Sequence, residues 1–340
     1  MEGAYAVTVQ DSTQTGEARR TAMQLAERLG FDETAAGNVG LVVTEAAKNL
    51  LKHAGGGDLL IQPLRNNDTF GIEMLAIDKG RGIENIRRSF EDGYSTAGTP
   101  GTGLGAISRL STLHDIYSQA GMGTALLAQI WNSPTAPGPE RALAFRTGGI
   151  SIAMPGEAAC GDAWSFLDVG PDGGRVIIAD GLGHGLLAAA AARSAIQIFE
   201  QFPGEAGVHL MQHIHHALRP TRGAAVAVAD IDRATGTVRY TGIGNISGVV
   251  ISPSGGVQHM VSHAGTAGHE VQKIVEFRYA WEPASLLVMH SDGLVSHWSL
   301  ARYPGLALRH PSVVAGVLYR DYNRGRDDTT VVAVREDGPA

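Results

Sequence analysis

The sequence is poor in cysteine and has no long apolar run, and each shortage excludes a class of protein. Cys160 is the only cysteine among 340 residues, so an internal disulfide cannot form and a reducing cytoplasm is the expected compartment. A lone cysteine is more often a small buried residue than a nucleophile. No apolar stretch reaches the roughly 18 residues of a membrane helix, and the N-terminus lacks a basic segment followed by an apolar one. We therefore expect neither a membrane span nor a signal peptide.

Positive charge is also in short supply. The chain has 27 Lys and Arg against 34 Asp and Glu, a formal net charge of −7. A mildly acidic protein gains little from the phosphate backbone of DNA or RNA, so nucleic acid is not an expected partner. The composition is 44% hydrophobic and 18% charged, which supports packed cores, and the length suits two domains.

Proline clusters at one place in the chain. Pro134, Pro137 and Pro139 fall within nine residues, 132–140, where they forbid regular structure and indicate a stiff linker. The sequence therefore predicts a first domain over 1–131, a linker over 132–141 and a second domain over 142–340.

Hydrophobic periodicity predicts mixed α and β structure on both sides of this linker. In the first half we predict strands over 5–9, 58–63, 69–78, 114–119 and 123–131, a turn at 66–68, and helices over 15–29, 34–53 and 106–113. In the second half we predict strands over 143–153, 164–169, 175–180, 223–230, 237–242, 248–252, 285–289 and 329–334, with helices over 185–199 and 205–218. Many strands with few helices indicate an α+β sandwich in the second half.

Glu45 and Asn49 are four residues apart on the second predicted helix, so they share one face. An amide oxygen can hold Mg²⁺ and a carboxylate can accept a proton from a hydroxyl, which suits a nucleotide site. A solvated helix face is the alternative for this pair taken alone.

Three further motifs follow in order. Asp78 ends an apolar strand and precedes Gly80 and Gly82; the acid can bind an exocyclic amine and the glycines allow backbone to approach a flat ring. A glycine-rich loop with Gly101, Gly103 and Gly105 then precedes a helix, where it can cradle phosphates. Thr124 opens the last strand.

This order resembles the N, G1 and G2 boxes of the GHKL ATPase/kinase superfamily, and 92–96 is most similar to RsbT-type switch kinases. The resemblance implies a GHKL (Bergerat) α/β sandwich over 1–131 that binds ATP with Mg²⁺. It implies Asn49 as the Mg²⁺ ligand, Glu45 as general base and Asp78 as the adenine reader. Gly80 and Gly82 would flank the base, Gly101, Gly103 and Gly105 would wrap the phosphates, and Thr124 would add an adenine-side contact.

Acidic residues mark four points of the second half. They are Asp162, Asp180, Asp292 and the Asp327–Asp328 pair, mostly beside predicted strand ends and next to glycine. Carboxylates at one rim of a sandwich can hold two hard cations, which can promote hydrolysis of a phosphate ester. A single Asp-Gly is more often only a turn, but four such points in this order favour a metal site.

The order of these motifs, with Gly242–Asn245 among them, resembles the PPM family of metal-dependent Ser/Thr phosphatases, in its SpoIIE/RsbX branch. The resemblance covers about 142–335 and implies an αββα sandwich with two Mn²⁺ or Mg²⁺. Asp162 and Asp180 would bridge the metals, Gly181 would offer its carbonyl, and Asp292 and Asp327 would complete the shell. Asp328 would support the ligands from behind.

Histidines offer weaker signals. His184 follows the Asp180-Gly181 motif and is either a general acid or a residue placed there for backbone reasons. A second cluster contains His209, His213, His215 and His216; without a cysteine, it indicates a polar helix face more than a zinc site.

Both resemblances imply one process. A kinase half and a phosphatase half would act on Ser or Thr of a STAS-domain antagonist or stressosome scaffold protein, in a stress-response or sigma-factor pathway. A downstream phosphatase or sigma-pathway protein is a further expected partner, and a homodimer is left open. The alternative is a phosphatase whose GHKL half is a non-catalytic ATP-sensing or anti-sigma-type binding module.

Overall fold

The computed structural model describes residues 4–66, 69–86, 103–132 and 144–336. These residues form two compact units, divided within 133–143, and the segment Leu300–Arg309 groups with the first unit. Residues 133–141 of the predicted linker, residues 67–68 of the predicted turn at 66–68, the stretch 92–96 and Gly101 lie outside the described residues. No helix in the described ranges has the length and apolar character needed to cross a bilayer.

The first unit contains one antiparallel sheet, in the strand order β1-β2-β3-β5-β4. Its strands are β1 Tyr5–Val9, β2 Gly57–Asn66, β3 Thr69–Ile77, β4 Leu113–Gln119 and β5 Gly123–Trp131. Its helices are α1 Ser12–Arg28, α2 Glu33–Asn49, continued by a π-helical turn Leu50–Ala54, and α3 Gly103–Leu110.

Alternation along the strands explains how the sheet meets these helices. Leu59 and Ile61 of β2 join Ile72, Met74 and Ala76 of β3 in one core with the apolar sides of the helices, because residues two apart share a sheet face. The first two helices begin at aspartate caps: the Asp11 carboxylate accepts from the Thr13 amide and the Asp32 carboxylate accepts from the Ala35 amide. Such caps satisfy backbone N–H groups that have no partner within the helix.

The second unit contains two antiparallel five-stranded sheets, in the orders β13-β10-β9-β8-β7 and β12-β11-β14-β15-β6. The strands are β6 Phe145–Ile152, β7 Asp162–Asp168, β8 Gly173–Gly181, β9 Ala224–Asp232, β10 Thr237–Ile243, β11 Ser247–Ile251, β12 Val257–His259, β13 Glu276–Ala280, β14 Leu286–His290 and β15 Thr329–Glu336. The helices are α4 Gly185–Gln201, α5 Gly207–Leu218 and α6 Pro311–Tyr322.

These elements form four layers. Residues from both sheets, such as Val176 and Ile178 from one and Met289 and Val332 from the other, share a central core. Helices α4 and α5 cover the outer face of the first sheet, and α6 packs on β6 and β15 of the second. The αββα sandwich predicted for this half is confirmed.

Candidate functional site

The acid and amide of α2 lie together where α3 begins. Glu45 and Asn49 face Gly103: a side-chain carbon built on Gly103 would lie 3.2 Å from Asn49 Oδ1 and 3.5 Å from Glu45 Oε2. Helix α3 begins three residues before the predicted start, so Gly103 and Gly105 lie in its first turn. Glycine at position 103 therefore lets the backbone of α3 approach the pair closely.

Asp78 and Thr124 form a second corner, where β3 ends and β5 begins. The Asp78 carboxylate Oδ1 accepts hydrogen bonds from the amide of Gly80, at 2.8 Å, and from the amide of Thr124, at 3.3 Å. The Thr124 and Ser118 hydroxyls lie 2.9 Å apart. Gly82 adopts a left-handed conformation with φ of 75°. The structure thus brings Asp78, Gly80 and Thr124 together as the sequence predicts.

The first unit contains a buried polar group that is suited to bind a ligand. The amide nitrogen of Asn49 is buried and has no hydrogen-bond partner among the described residues, which is unusual for a buried polar group. An amide N–H needs an acceptor such as a phosphate oxygen, and the Oδ1 of the same amide can hold a cation. Glu45, unlike Asn49, has a partner: its carboxylate accepts a hydrogen bond from the Lys48 ammonium at 2.8 Å. An amide that needs a partner beside a carboxylate suits a cation bound with a nucleotide.

In the second unit, strand pairing gathers the acidic residues at one end of the sandwich. Asp162 begins β7 and is paired in register with Asp180 near the end of β8. Asp292 lies two residues after the end of β14, and Asp327 and Asp328 precede β15, the antiparallel neighbour of β14. The four acidic points of the sequence therefore lie at neighbouring strand ends.

Hydrogen bonds join the two sheets at this end. The Ser291 hydroxyl donates to Asp162 Oδ2 at 2.6 Å and accepts from the Thr330 amide at 2.9 Å. Asp328 accepts from the Met154 amide at 2.7 Å and from the Gly161 amide at 2.8 Å, one bond to each carboxylate oxygen. The bond from Ser291 to Asp162 and the bond from Gly161 to Asp328 each cross from one sheet to the other, and they hold the sheets together at the acidic cluster.

The glycines beside these acids are required by packing more than by turns. A side-chain carbon on Gly181 would overlap the carbonyl oxygen of Ala188, and one on Gly293 would overlap the carbonyl oxygen of Asp328. Neither glycine has a positive φ. Close backbone approach at these positions keeps α4 and β15 against the acidic strand ends.

The acidic cluster is electrostatically unfavourable by itself. Burial, followed by the charge of Asp162, raises the pKa of Asp180, and Asp292 and Asp327 contribute to the same shift. Burial also raises the pKa of Asp162 and, together with Asp327, the pKa of Asp292. Divalent cations would relieve this repulsion, since hard cations prefer carboxylate oxygens. In the described part of the chain, however, no three His, Cys, Asp or Glu side chains are already arranged to hold one metal ion.

The donor set still fits cations that also bind water and carbonyl oxygen. Asp162 and Asp180 lie in register across two strands, and Gly181 directly follows Asp180. Asp292 and Asp327 are close enough for their charges to raise the pKa of Asp180. Asp328 has both oxygens occupied by backbone amides, which agrees with its predicted place behind the ligands. The roles of the individual residues remain predictions.

His184 lies at the rim of the cluster. Its Nδ1 is 2.6 Å from Glu157 Oε1, and it precedes α4 without capping the helix through its side chain. Its role as a general acid stays a prediction.

Cys160 precedes the acidic cluster. Burial, and then the charge of Asp162, raise the pKa of its thiol far above the ordinary range. A protonated thiol is a poor nucleophile.

Three histidines of the second predicted cluster have separate partners. His209 lies 3.2 Å from the Glu205 carboxylate, His213 stacks on Phe202 with ring centres 4.6 Å apart, and His215 accepts from the Gly268 amide at 3.1 Å. These contacts give each ring its own surroundings on or beside α5.

Sequence reasoning assigned no role to three residues that the structure places here. Ser291 binds Asp162, Glu157 binds His184, and Asn245 donates to Asp292 Oδ2 at 2.8 Å. Asn245 ends the 242–245 motif and Ser291 directly precedes Asp292, which was the available signal. Glu157 belongs to none of them.

Comparison with known proteins places the two halves in families. The model of the histidine kinase-like ATPase domain matches residues 8–130, and that of stage II sporulation protein E (SpoIIE) matches residues 170–337. Serine/threonine-protein kinase RsbT of Bacillus subtilis (strain 168) is 34% identical over 114 residues, which cover 34% of this chain and 86% of the relative. Phosphoserine phosphatase RsbX of the same organism is 26% identical over 139 residues, which cover 41% of this chain and 69% of the relative.

Two solved structures give the same picture. A chain from the structure described as "The bacterial stressosome: a modular system that has been adapted to control secondary messenger signaling" has a TM-score of 0.52 and 30% identity, covering 56% of this chain and 99% of its own. RsbX in complex with magnesium has a TM-score of 0.51 and 21% identity, covering 57% of this chain and 96% of its own, and this likeness shows the fold alone.

The chain therefore belongs to the RsbT-like family of histidine kinase-like ATPase proteins through its first half, and its second half is a SpoIIE-type PPM phosphatase domain. It is an enzyme, with a protein serine/threonine phosphatase domain and a domain homologous to a serine kinase. These domains imply ATP and divalent metal ions as ligands in general.

Proposed function

We propose that the protein sets the phosphorylation level of a partner protein in a partner-switching pathway, with its first half adding phosphate and its second half removing it. The observation that carries the proposal is the presence of both sites in one chain. Glu45 and Asn49 adjoin Gly103 in the first unit, and four aspartates converge in the second. The relatives RsbT and RsbX are a kinase and a phosphatase by name.

In the kinase half, each residue would act through its own chemistry. Glu45 would accept the proton of the substrate hydroxyl as phosphate is transferred, which is ordinary general-base catalysis. Asn49 would hold Mg²⁺ through its amide oxygen, and Asp78, with Thr124, would receive the adenine amine. Gly80, Gly82, Gly101, Gly103 and Gly105 would allow backbone to approach the nucleotide.

In the phosphatase half, Asp162, Asp180, Asp292 and Asp327 would bind two Mn²⁺ or Mg²⁺, with the Gly181 carbonyl. Such a pair of cations supplies electrostatic stabilisation to in-line attack of water on a phosphate ester. Ser291 and Asp328 would keep the ligands in place, because they join the two sheets at the cluster. His184, held by Glu157, is available to protonate a leaving serine or threonine oxygen.

The proposed substrate is a serine or threonine on a STAS-domain antagonist or stressosome scaffold protein, in the cytoplasm where ATP is supplied. A chain with 30% identity comes from a stressosome structure, which supports this substrate class. A downstream phosphatase or sigma-pathway protein is the proposed second partner.

A second candidate has the first half as a non-catalytic ATP-sensing or anti-sigma-type binding module. The Lys48–Glu45 contact of 2.8 Å favours it, because the carboxylate that would accept the substrate proton already accepts a hydrogen bond from Lys48.

One experiment separates the two. The full chain is incubated with candidate STAS proteins and γ-labelled ATP, with and without Mn²⁺. Label on the partner supports the kinase proposal, and its release on adding Mn²⁺ supports the opposing phosphatase. If ATP binds and no partner is ever labelled, the binding-module candidate is correct. Phosphate release that persists with excess chelator would contradict the two-metal scheme.

A further inference from the structure

An arginine on another loop lies against the glycine-rich turn that follows Asp180. Arg222 lies in the turn between α5 and β9, and a side-chain carbon built on Gly183 would lie 3.0 Å from its guanidinium Nη1. Gly183 itself borders the acidic cluster, since its carbonyl oxygen is 3.6 Å from the position of such a carbon on Gly161. Gly161 donates to Asp328 and precedes Asp162. One residue, Gly183, thus separates the guanidinium from the cluster.

The backbone around Arg222 is fixed against this turn. The Leu182 amide donates to the Gly223 carbonyl at 3.0 Å. The Thr221 hydroxyl accepts from the Gly223 amide at 2.9 Å and donates to the Leu218 carbonyl at 2.7 Å. Gly223 has a φ of 79°, a conformation that glycine adopts without strain. Arg222 is therefore presented from a hydrogen-bonded turn and not from a free loop.

The guanidinium has no carboxylate partner within the described residues. None of the salt bridges found there includes Arg222, and none of the side-chain hydrogen bonds there uses it. Arg324, by contrast, lies close enough to a carboxylate to act on it: its charge lowers the pKa of Asp292, against the larger effect of burial. Arg222 is exposed, so a ligand from solvent can reach it.

We propose that Arg222 binds the phosphate group of the phosphorylated substrate and positions it over the acidic cluster. Cations held by four aspartates are largely neutralised, so a phosphoserine dianion needs further positive charge. A guanidinium provides it with two parallel N–H donors that match phosphate oxygens. The inference rests on the proposed action on phosphorylated serine or threonine and adds the residue that recognises the phosphate.

The test measures binding of inorganic phosphate to the Mn²⁺-loaded full chain by calorimetry. Arg222→Gln should raise the Kd for phosphate about tenfold or more, as expected for loss of a bidentate charged hydrogen bond. Arg222→Lys should give an intermediate Kd, because ammonium keeps the charge and loses the fork. Arg219→Gln is the matched control: it removes the same charge three residues earlier, from a site that influences His215 instead, and should match wild type.

Binding of Mn²⁺ and the thermal unfolding of Arg222→Gln should equal those of wild type, which shows that fold and metal site are intact. An unchanged phosphate Kd in Arg222→Gln, or a wild type that binds no phosphate, would overturn the proposal. If Arg222→Gln loses phosphate binding while wild type releases no phosphate from any phosphorylated STAS protein, the phosphate site stands and the proposed substrate is wrong.

Discussion

Asp162, Asp180 and Asp328 lie at one end of the sandwich, yet their oxygen atoms are engaged differently. Asp328 has one backbone amide on each oxygen, and Asp162 has one oxygen held by Ser291. The pKa of Asp180 is raised, first by burial and then by the negative charges of its neighbours. A ligand needs free lone pairs, so Asp180 and Asp162 are suited to bind cations and Asp328 to hold the strands.

Glu45 and Asp78 should fail in different ways when replaced. Glu45→Ala removes the proposed base, so phosphate transfer to a STAS partner should fall about 100-fold or more, while ATP affinity changes little. Asp78→Asn changes the group proposed to read adenine and should weaken ATP binding itself. Calorimetry with ATP and a labelled-ATP transfer assay measure the two effects separately. Transfer at the wild-type rate in Glu45→Ala would remove Glu45 as the base.

At the scale of elements, the strands follow the sequence closely because their alternation is strong. Strands β1 and β5 have the predicted bounds, and the others differ by a few residues. Helix α6, Pro311–Tyr322, was missed, because it is buried along most of its length and shows no polar face. Its several valines also favour strand in isolation. Strands β12 and β13 were missed as well; they are short and lie at sheet edges, where little alternation is required.

The sequence predicted those parts of the candidate sites that are encoded by short motifs. The carboxylate and glycine positions come from local patterns, and antiparallel pairing then brings them together. The contact between Ser291 and Asp162 joins residues 129 apart in the chain, and it depends on how the two sheets pack. The sequence places Ser291 beside Asp292 but carries no signal for its pairing with Asp162, so this contact was found only in the structure.

Two glycines of the β4–β5 turn provide a matched test of the nucleotide corner. Both have positive φ, 73° at Gly121 and 89° at Gly123. A side-chain carbon on Gly121 meets nothing within 4 Å, whereas one on Gly123 would overlap the Asp78 carbonyl oxygen. Gly121→Ala should therefore cost about 1 kcal/mol for its backbone conformation, with ATP binding retained.

Gly123→Ala adds the overlap and should displace Asp78, so we expect a larger loss of stability together with weaker ATP binding. Thermal unfolding and ATP calorimetry on both variants give the comparison. Equal ATP affinity in Gly123→Ala and Gly121→Ala would show that the corner is not the adenine site.

A buried ion pair joins β8 to β9 away from the acidic cluster. Arg175 and Asp230 are paired in register, hydrogen-bonded and almost fully buried, and Arg175 also donates to the Pro203 carbonyl at 2.6 Å. Asp230→Ala leaves the guanidinium buried without its counter-charge, so the second unit should lose about 3–5 kcal/mol. Urea unfolding followed through a signal of that unit measures the change.

The double variant Arg175→Met, Asp230→Leu removes both charges. It should lose less stability than Asp230→Ala alone, because no unpaired charge remains. If the double variant is the less stable of the two, the pair contributes through specific packing and not through charge compensation.

At the scale of the whole molecule, the chain joins two domains whose relatives are separate proteins. Under the proposed function, joining a kinase and a phosphatase would keep both at high effective concentration near a shared partner. The partner would then hold a phosphorylation level set by the ratio of two rates, and ATP would be consumed continuously.

The most direct test follows phosphorylated partner and ATP over time in a mixture of the full chain, Mn²⁺, ATP and a STAS protein. Wild type should reach a partial, steady level of phosphopartner while ATP consumption continues. Asp180→Asn removes a negative charge from the metal cluster, so hydrolysis should nearly vanish. The partner should then become fully phosphorylated, and ATP consumption should stop. If Asp180→Asn reaches the same steady level as wild type, the two halves do not act on one substrate and the account is contradicted.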